Sequence, residues 1–393
     1  MSTDQKKPTV IVVMGYYLPG YKVGGPVVSV SNIVNGLSHA YHFKVLAADR
    51  DFGENKPYPN INSNTWTKLK ESEVFYIPKT IFAFYYLIKE LIKQSKSSDV
   101  LYLNSVFNPL FSGVILLAQR IGVLNVKHIL VATRGELLDE ALGFKSFRKT
   151  VFLGIAKSIG IYKNIFWHAT TEVEKESIVK MLNVKPENVK VATNLSSFEQ
   201  EMDAAISSKE SDDSAILKLV FLSRVSKDKN IPFTFEVLKE VTSKVVFDVY
   251  GPIEDVEMWE DCKEKIKALP SNITVNYLGS VKKENVRNVL SLYDLFFLPT
   301  FAENYGHAIA EALSVGTPVL ISDNTPWRNL KEQGVGWDIN LENKNEFIQV
   351  IHEVAATTKE QRYEDRKTRK AYMLKKLSDP KIIEANVALF RFD

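Results

Sequence analysis

At 393 residues, 45% hydrophobic and 25% charged, the chain is long for one domain, and its ordinary globular composition predicts two or three. Its single cysteine, Cys262, excludes an intramolecular disulfide, and no cysteine–histidine cluster has the spacing of a structural zinc site. The net charge of +3 is uneven, +9 over residues 1–195 and −6 over residues 196–393, which points the first half toward an anionic partner without any recognised nucleic-acid motif.

The first apolar run, Val10 to Met14, is too short for a signal peptide, and no stretch reaches the ~18 apolar residues of a spanning helix. A cytoplasmic protein is expected. Candidate strands of the first half are 9–14, 43–48, 74–77, 100–104, 129–133, 166–170 and 189–193. Between the first two, Val30, Ile33, Val34 and Leu37 recur at i, i+3, i+4 and i+7, predicting an amphipathic helix opened by Pro26. Runs such as VLYLN and HILVAT are almost continuously apolar, as parallel strands buried on both faces should be. Residues 196–215 are polar, acidic and serine-rich and read as a linker. Candidate strands then resume at 217–222, 245–250, 273–278, 295–299 and 318–322. The alternation predicts an α/β protein of two tandem Rossmann-like, doubly wound parallel-sheet domains facing a cleft. They are expected at 1–195 and 216–375, with a C-terminal helix in 376–393 returning to the first domain.

Ligands of open parallel sheets sit at the carboxyl ends of the strands. Four such edges stand out. After the first strand, Gly24 and Gly25 precede the proline-opened helix, where backbone can approach a phosphate closely; a tight turn is the alternative. After the strand LVFLS, Arg224 and Lys229 are two cations placed to hold a diphosphate, or else a solvated basic loop. After DLFFLPT, Glu303 lies in a loop and Glu311 about two turns into an alanine-rich helix that starts near Gly306 and stops at Gly316. Eight residues of full helix would span about 12 Å. The two carboxylates therefore suit separate parts of one extended ligand, with the amides of residues 304–307 at the positive helix end between them; taken singly, Glu303 also reads as a helix-start acid and Glu311 as a solvated helix residue. Finally, TRGE at 133–136 places Arg134 and Glu136 at a first-domain strand end, as acceptor contacts or as surface polarity.

Taken together, these residues resemble the family-4 retaining glycosyltransferases of the GT-B fold. The resemblance rests on Glu303-x7-Glu311 followed by GTPVLISD, on Arg224 and Lys229, on Tyr250-Gly251-Pro252, and on Gly24-Gly25. It covers nearly the whole chain in the expected order. The segments DRDFGENKPYPNI and TRGELLDEALGFKSFRK look like bacterial members that build capsule, O-antigen or exopolysaccharide. The resemblance implies a metal-independent transfer from a nucleotide-diphosphate sugar, the donor substrate, to a glycan or lipid-linked acceptor, with no cofactor. It gives Glu303, Arg224 and Lys229 the catalytic roles: Glu303 on the sugar, the two cations on the leaving diphosphate. Donor binding falls to Glu311 on the ribose, Asn304, Tyr305, Gly306 and His307 beside sugar and phosphates, Gly251, and Gly24 and Gly25. Arg134 and Glu136 stand where many members carry a histidine; the nearest, His128, precedes its strand. Asp49-Arg50-Asp51 is formally a D-x-D, which binds a metal in a different glycosyltransferase fold, and it reads here as a loop.

A nucleotide-sugar epimerase of the same fold and a non-catalytic sugar-nucleotide-binding module are the alternatives. Residues 141–164 carry five cations and no acid, interleaved with Phe144, Phe147, Phe152, Ile155, Ile159 and Ile161, and 79–96 add four lysines around IFAFYYLI. These helices suit peripheral docking on an anionic membrane surface, or simply pack apolar residues on the sheet beneath solvated lysines.

Overall fold

The computed structural model describes residues 7–138, 146–195 and 216–392. The expected linker, 196–215, lies outside them. The chain divides into two compact units, Met1–Ser197 with Pro380–Asp393, and Phe198–Asp379.

The first unit is built on β1 (Thr9–Val13), β2 (His42–Ala48), β3 (Trp66–Leu69), β4 (Ser72–Ile77), β5 (Val100–Asn104), β6 (His128–Ala132), β7 (Phe166–Ala169) and β8 (Val189–Val191). Its helices are α1 (Gly25–Leu37), α2 (Ala83–Ser95), α3 (Val114–Arg120), α4 (Ser146–Ser158) and α5 (Glu172–Leu182). The sheet order is β3-β4-β2-β1-β5-β6-β7-β8. Alternation along β1 explains the layering. Val10 and Val12 face a core shared with α1, while Ile11 and Val13 face the core under α2, α3, α4 and α5. The edge strand β3 was not expected, and it pairs antiparallel with β4 on an otherwise parallel sheet. WTKL is short and only half buried, so neither a period nor an apolar run marks it. His128, expected before the strand, is the first residue of β6.

The second unit holds β9 (Leu217–Leu222), β10 (Val245–Tyr250), β11 (Ile273–Gly279), β12 (Leu295–Leu298), β13 (Val319–Ser322) and β14 (Gly336–Ile339). Its helices are α6 (Ile231–Leu238), α7 (Val256–Lys267), α8 (Lys283–Leu290), α9 (His307–Ser314), α10 (Lys344–Ala356) and α11 (Lys359–Leu377). All pairings are parallel, in the order β11-β10-β9-β12-β13-β14. The strand β14 was not expected. Its Gly336 lies so close to β13 that a Cβ would fall 2.3 Å from the Val319 carbonyl oxygen. Strand order reverses between β9 and β12, and that switch point is where an open α/β sheet leaves a crevice.

The helix α11 belongs to the second unit and ends at Leu377, past the expected boundary at 375–376. Its Arg366 donates to the Ser291 and Tyr293 carbonyls at 2.7 and 2.6 Å, just beyond the end of α8, satisfying acceptors that a helix C-terminus leaves unpaired. The last helix, α12 (Pro380–Ala388), lies on the first unit. Asn386 donates to the Thr193 carbonyl at 2.8 Å, Tyr41 donates to that of Val387 at 2.8 Å, and the buried Phe390 packs on Tyr41, Phe43 and Tyr102. Among the described residues no helix is long and apolar enough to cross a membrane.

Candidate functional site

In the second unit three loops leave the carboxyl ends of the adjacent strands β10, β9 and β12. After β9 the chain forms a single 3₁₀ turn, Lys227–Lys229, ended by Asn230 in the left-handed conformation. The Asp228 carbonyl accepts from the amide of Phe301 and the hydroxyl of Thr300, both at 2.8 Å, which straps this turn to the loop after β12.

That strap brings two of the expected residues into contact across 74 positions of sequence. The Lys229 ammonium, almost fully buried, lies 2.8 Å from Glu303 Oε1, 3.1 Å from Asp228 Oδ2 and 3.3 Å from the Ala302 carbonyl. Burial by itself would depress the Lys229 pKa, but the charges of Glu303 and Asp228 outweigh it and hold the ammonium protonated, above its ordinary range. Arg224 does not lie beside Lys229 as a free second cation. Its guanidinium is paired with Glu254 and sits 3.8 Å from Asp228 Oδ2. A single carboxylate oxygen of Asp228 thus stands between the two cations. Burial works to raise the Asp228 pKa, but Lys229, Ser226 and Arg224 more than reverse it, so the group stays ionised.

The strand β10 ends at Tyr250, and Gly251 follows with φ 138°. A Cβ there would lie 1.7 Å from the Ser223 carbonyl oxygen, so only glycine lets the β10 edge pass the β9 edge.

The loop after β12 corrects the expected geometry of the two glutamates. Residues 303–306 are not helical, α9 begins at His307, and Glu311 is its fifth residue, little more than one turn in. The break comes from Gly306, whose φ of 78° and ψ of 63° cap the helix in the left-handed region. Trp327, buried, donates from Nε1 to the Tyr305 carbonyl at 2.5 Å and packs edge-on against the Tyr305 ring, while Tyr305 and His307 lie with ring centroids 4.8 Å apart. Asn304 and His307 are half-buried beside this turn. Glu311 is 8% exposed, and no side chain among the described residues hydrogen-bonds its carboxylate. Burial pushes its pKa up to about 7, against the opposing pull of Lys283 and Arg287 on α8.

The remaining candidates lie in the first unit. Gly24, with φ 73°, precedes α1, which begins at Gly25, and a Cβ on Gly24 would meet no atom within 4 Å. Arg134 adopts φ 52° and is bound by Asn104, Asn194 and Tyr102. Glu136 accepts from Ser105 Oγ at 2.8 Å and from the amide of Val106 at 2.6 Å. Asp49 accepts from Arg50 and Ser63 at 2.8 Å, and Asp51 from the amides of Tyr21, Lys22 and Phe52, so the D-x-D carboxylates tie their own loop together and strap it to the loop before α1. Among the described residues no group of three or more metal-ligating side chains could hold a metal ion.

Several participants escaped the sequence reading. Asp228 and Glu254 partner the two cations, Trp327 fixes the turn before α9, and Lys283 and Arg287 face Glu311. His168 is buried at the carboxyl end of β7. Its Nδ1 is 2.7 Å from the Tyr102 hydroxyl and its Nε2 2.9 Å from the Ala192 carbonyl. The acid in SKDKN, next to Lys229, was the available signal for Asp228; nothing local marks the others.

Residues 204–371 match the family described as glycosyl transferases group 1. No curated protein matches the chain. Among solved structures, Anabaena HepE in complex with UDP and glucose aligns with TM-score 0.67 at 15% identity, covering 96% of this chain and 98% of that one. WaaG, a glycosyltransferase involved in lipopolysaccharide biosynthesis, aligns with TM-score 0.67 at 13% identity over 98% and 100%. Sucrose-phosphate synthase from Thermosynechococcus elongatus aligns with TM-score 0.67 at 13% identity over 96% and 97%. The chain therefore has the GT-B fold, and the residues that match the glycosyl transferases group 1 family lie within its second unit.

Proposed function

We propose that the protein is a retaining glycosyltransferase that moves a sugar from a nucleotide-diphosphate donor to a glycan or lipid-linked acceptor in bacterial surface polysaccharide synthesis. The observation that carries this reading is the pair of buried Lys229 and half-buried Glu303 at the switch point of the second sheet, with the buried Glu311 beyond it. Glu303 accepts hydroxyls of the sugar. Lys229 and Arg224 receive the negative charge that grows on the departing diphosphate, an electrostatic contribution that is usually the largest in such chemistry. For that, the diphosphate takes the bridging place that Asp228 Oδ2 holds between the two cations. Residues 304–307 present the amino end of α9 to the phosphates, and Glu311 accepts from the ribose. The leaving phosphate takes the acceptor proton on the same face of the sugar, so neither a protein base nor a metal is required.

Support for the donor class comes from the group 1 match and from HepE, whose structures hold UDP and glucose or UDP-glucose. Support for the polysaccharide role comes from WaaG and from WaaB, a lipopolysaccharide outer core galactosyltransferase. The testing experiment is a thermal-shift panel of nucleotide sugars, followed by transfer assays on variants. Binding stabilises the folded state by mass action, so the best donor gives the largest shift. Glu303→Gln is expected to abolish transfer, and Glu311→Gln chiefly to raise the donor KM. No shift with any nucleotide sugar, or full activity of both variants, would refute the proposal.

A further inference from the structure

Among the described residues, the first unit holds a part-buried cation with no counter-charge beside a buried donor with no acceptor. Arg134 follows β6, Asn104 ends β5, and Asn194 lies beyond β8, so all three sit at the carboxyl edge of the sheet, where its ligands belong. The guanidinium is held by neutral groups only. Its Nε and Nη2 donate to Asn104 Oδ1 at 3.2 and 2.7 Å, Nη1 donates to Asn194 Oδ1 at 3.0 Å, and Nη2 also donates to the Tyr102 hydroxyl at 2.8 Å. Among the described residues no carboxylate comes within ion-pair distance of it. Glu174, buried nearby, is committed instead to Thr170 and to the amide of Gly135. His168, reached through Tyr102, adds no charge; burial first and the Arg134 charge second push its pKa down to about 3.

The orientation of the Asn104 amide follows from its partner. A guanidinium has donors only, so Oδ1 must face Arg134, and Nδ2 is left buried with nothing to donate to. An unpaired buried donor costs stability, a part-buried cation without a counter-charge adds to that cost, and one bound oxyanion would satisfy both. The left-handed φ of Arg134, unusual for a side chain of its size, is a strain of the kind that collects at ligand sites.

We propose that Arg134 and Asn104 form a seat for a phosphate group of the acceptor, so that the acceptor is a phosphorylated molecule such as a lipid-linked sugar diphosphate. The word acceptor rests on the transferase reading; the anion seat does not. The donor diphosphate already has its own cations, Arg224 and Lys229, in the other unit.

The test uses the full chain with Arg224→Ala and Lys229→Ala, which removes the donor-side cations, and titrates geranyl diphosphate by calorimetry with geraniol as control. Binding of the diphosphate and not of the alcohol is expected. Adding Asn104→Asp, which keeps the oxygen facing Arg134 but replaces the free donor by a negative charge, is expected to weaken it at least tenfold while raising the melting temperature. Arg134→Gln is expected to weaken it likewise. Unchanged binding in a folded Asn104→Asp protein would overturn the proposal, as would no binding in the parent, shown to be folded by its melting transition, or, should the parent not fold, in the otherwise native chain. In the otherwise native chain, Asn104→Asp is expected to leave nucleotide-sugar affinity within twofold; a tenfold loss there would assign the seat to the donor and overturn the acceptor reading. A chain that binds no nucleotide sugar but still binds geranyl diphosphate through Asn104 would sink the proposed function and leave the seat standing.

Discussion

Glu311 shows how one buried carboxylate sets a pH dependence. Its ordinary pKa of 4.5 is raised to about 7, chiefly by burial, so the folded state holds a proton that the unfolded state has released between those values. Stability from this group is therefore full below pH 4.5 and falls as pH rises toward 7, the reverse of a salt-bridged carboxylate. Glu311→Gln is expected to be more stable than the native chain at pH 8, by roughly 1–3 kcal/mol, with the difference vanishing near pH 4.5. Urea denaturation at both pH values measures this. If the ionised carboxylate accepts the donor ribose, the donor KM also rises below about pH 7 in the native enzyme and stays flat in Glu311→Gln. Lys229 and Glu303 behave differently. Glu303 compensates the burial of Lys229, so removal of Glu303 leaves a buried charge short of a partner and costs stability as well as activity.

At the scale of elements, the candidate site depends on close approaches between loops. Gly251 admits no side chain because the Ser223 carbonyl occupies the position of its Cβ. Gly251→Ala must separate the β9 and β10 edges, and a loss of about 3 kcal/mol or more is expected in chemical denaturation. The turn before α9 is fixed by a different device. Gly306 alone allows several conformations, and the Trp327 indole selects one by donating to the Tyr305 carbonyl. Lys376 of α11 lies 4.3 Å over the same ring, which ties that helix to the turn. Trp327→Phe keeps most of the packing and loses the donor. It is expected to raise the donor KM about tenfold with kcat changed less, because the amides at the head of α9 are no longer held in place. Equal KM in steady-state assays would show that the turn holds itself.

At the scale of the molecule, the charge asymmetry between halves finds a surface. The helix α2 buries Leu87, Ile88, Leu91 and its one acid, Glu90, which accepts from Trp66 and Gln94. Its outer side and the approach to it expose Ile81, Phe82, Phe84 and Tyr85 among Lys79, Lys89, Lys93 and Lys96. On α4, Ile155 and Lys157 are exposed, while Phe144 and Lys145 lie outside the described residues. We propose peripheral docking of this face on an anionic membrane at the cytoplasmic side, which suits a lipid-linked acceptor. Each cation near such a surface contributes about 1 kcal/mol, screened by salt. Vesicles containing anionic lipid are expected to pellet the protein at low salt and to release it at high salt. Lys89→Glu with Lys93→Glu is expected to abolish pelleting without loss of transfer to a soluble acceptor.

The βα alternation, the two sheets and most strands were legible because a strand buried on both faces must be apolar along its whole length, as VLYLN is. The edges β3 and β14 were not, since half-buried strands of four residues carry no such mark. Lys229, Glu303 and Glu311 were readable as candidates from motif and spacing. What lay beyond the sequence was contact. The pairing of Lys229 with Glu303, the desolvation of Glu311 and the unpaired Nδ2 of Asn104 all depend on groups distant in the chain. Local propensity follows from each residue and its near neighbours, so the sequence alone determined the elements and their alternation. Strand order is chosen by packing the whole sheet, and only then is it decided which charges meet and which lose their water.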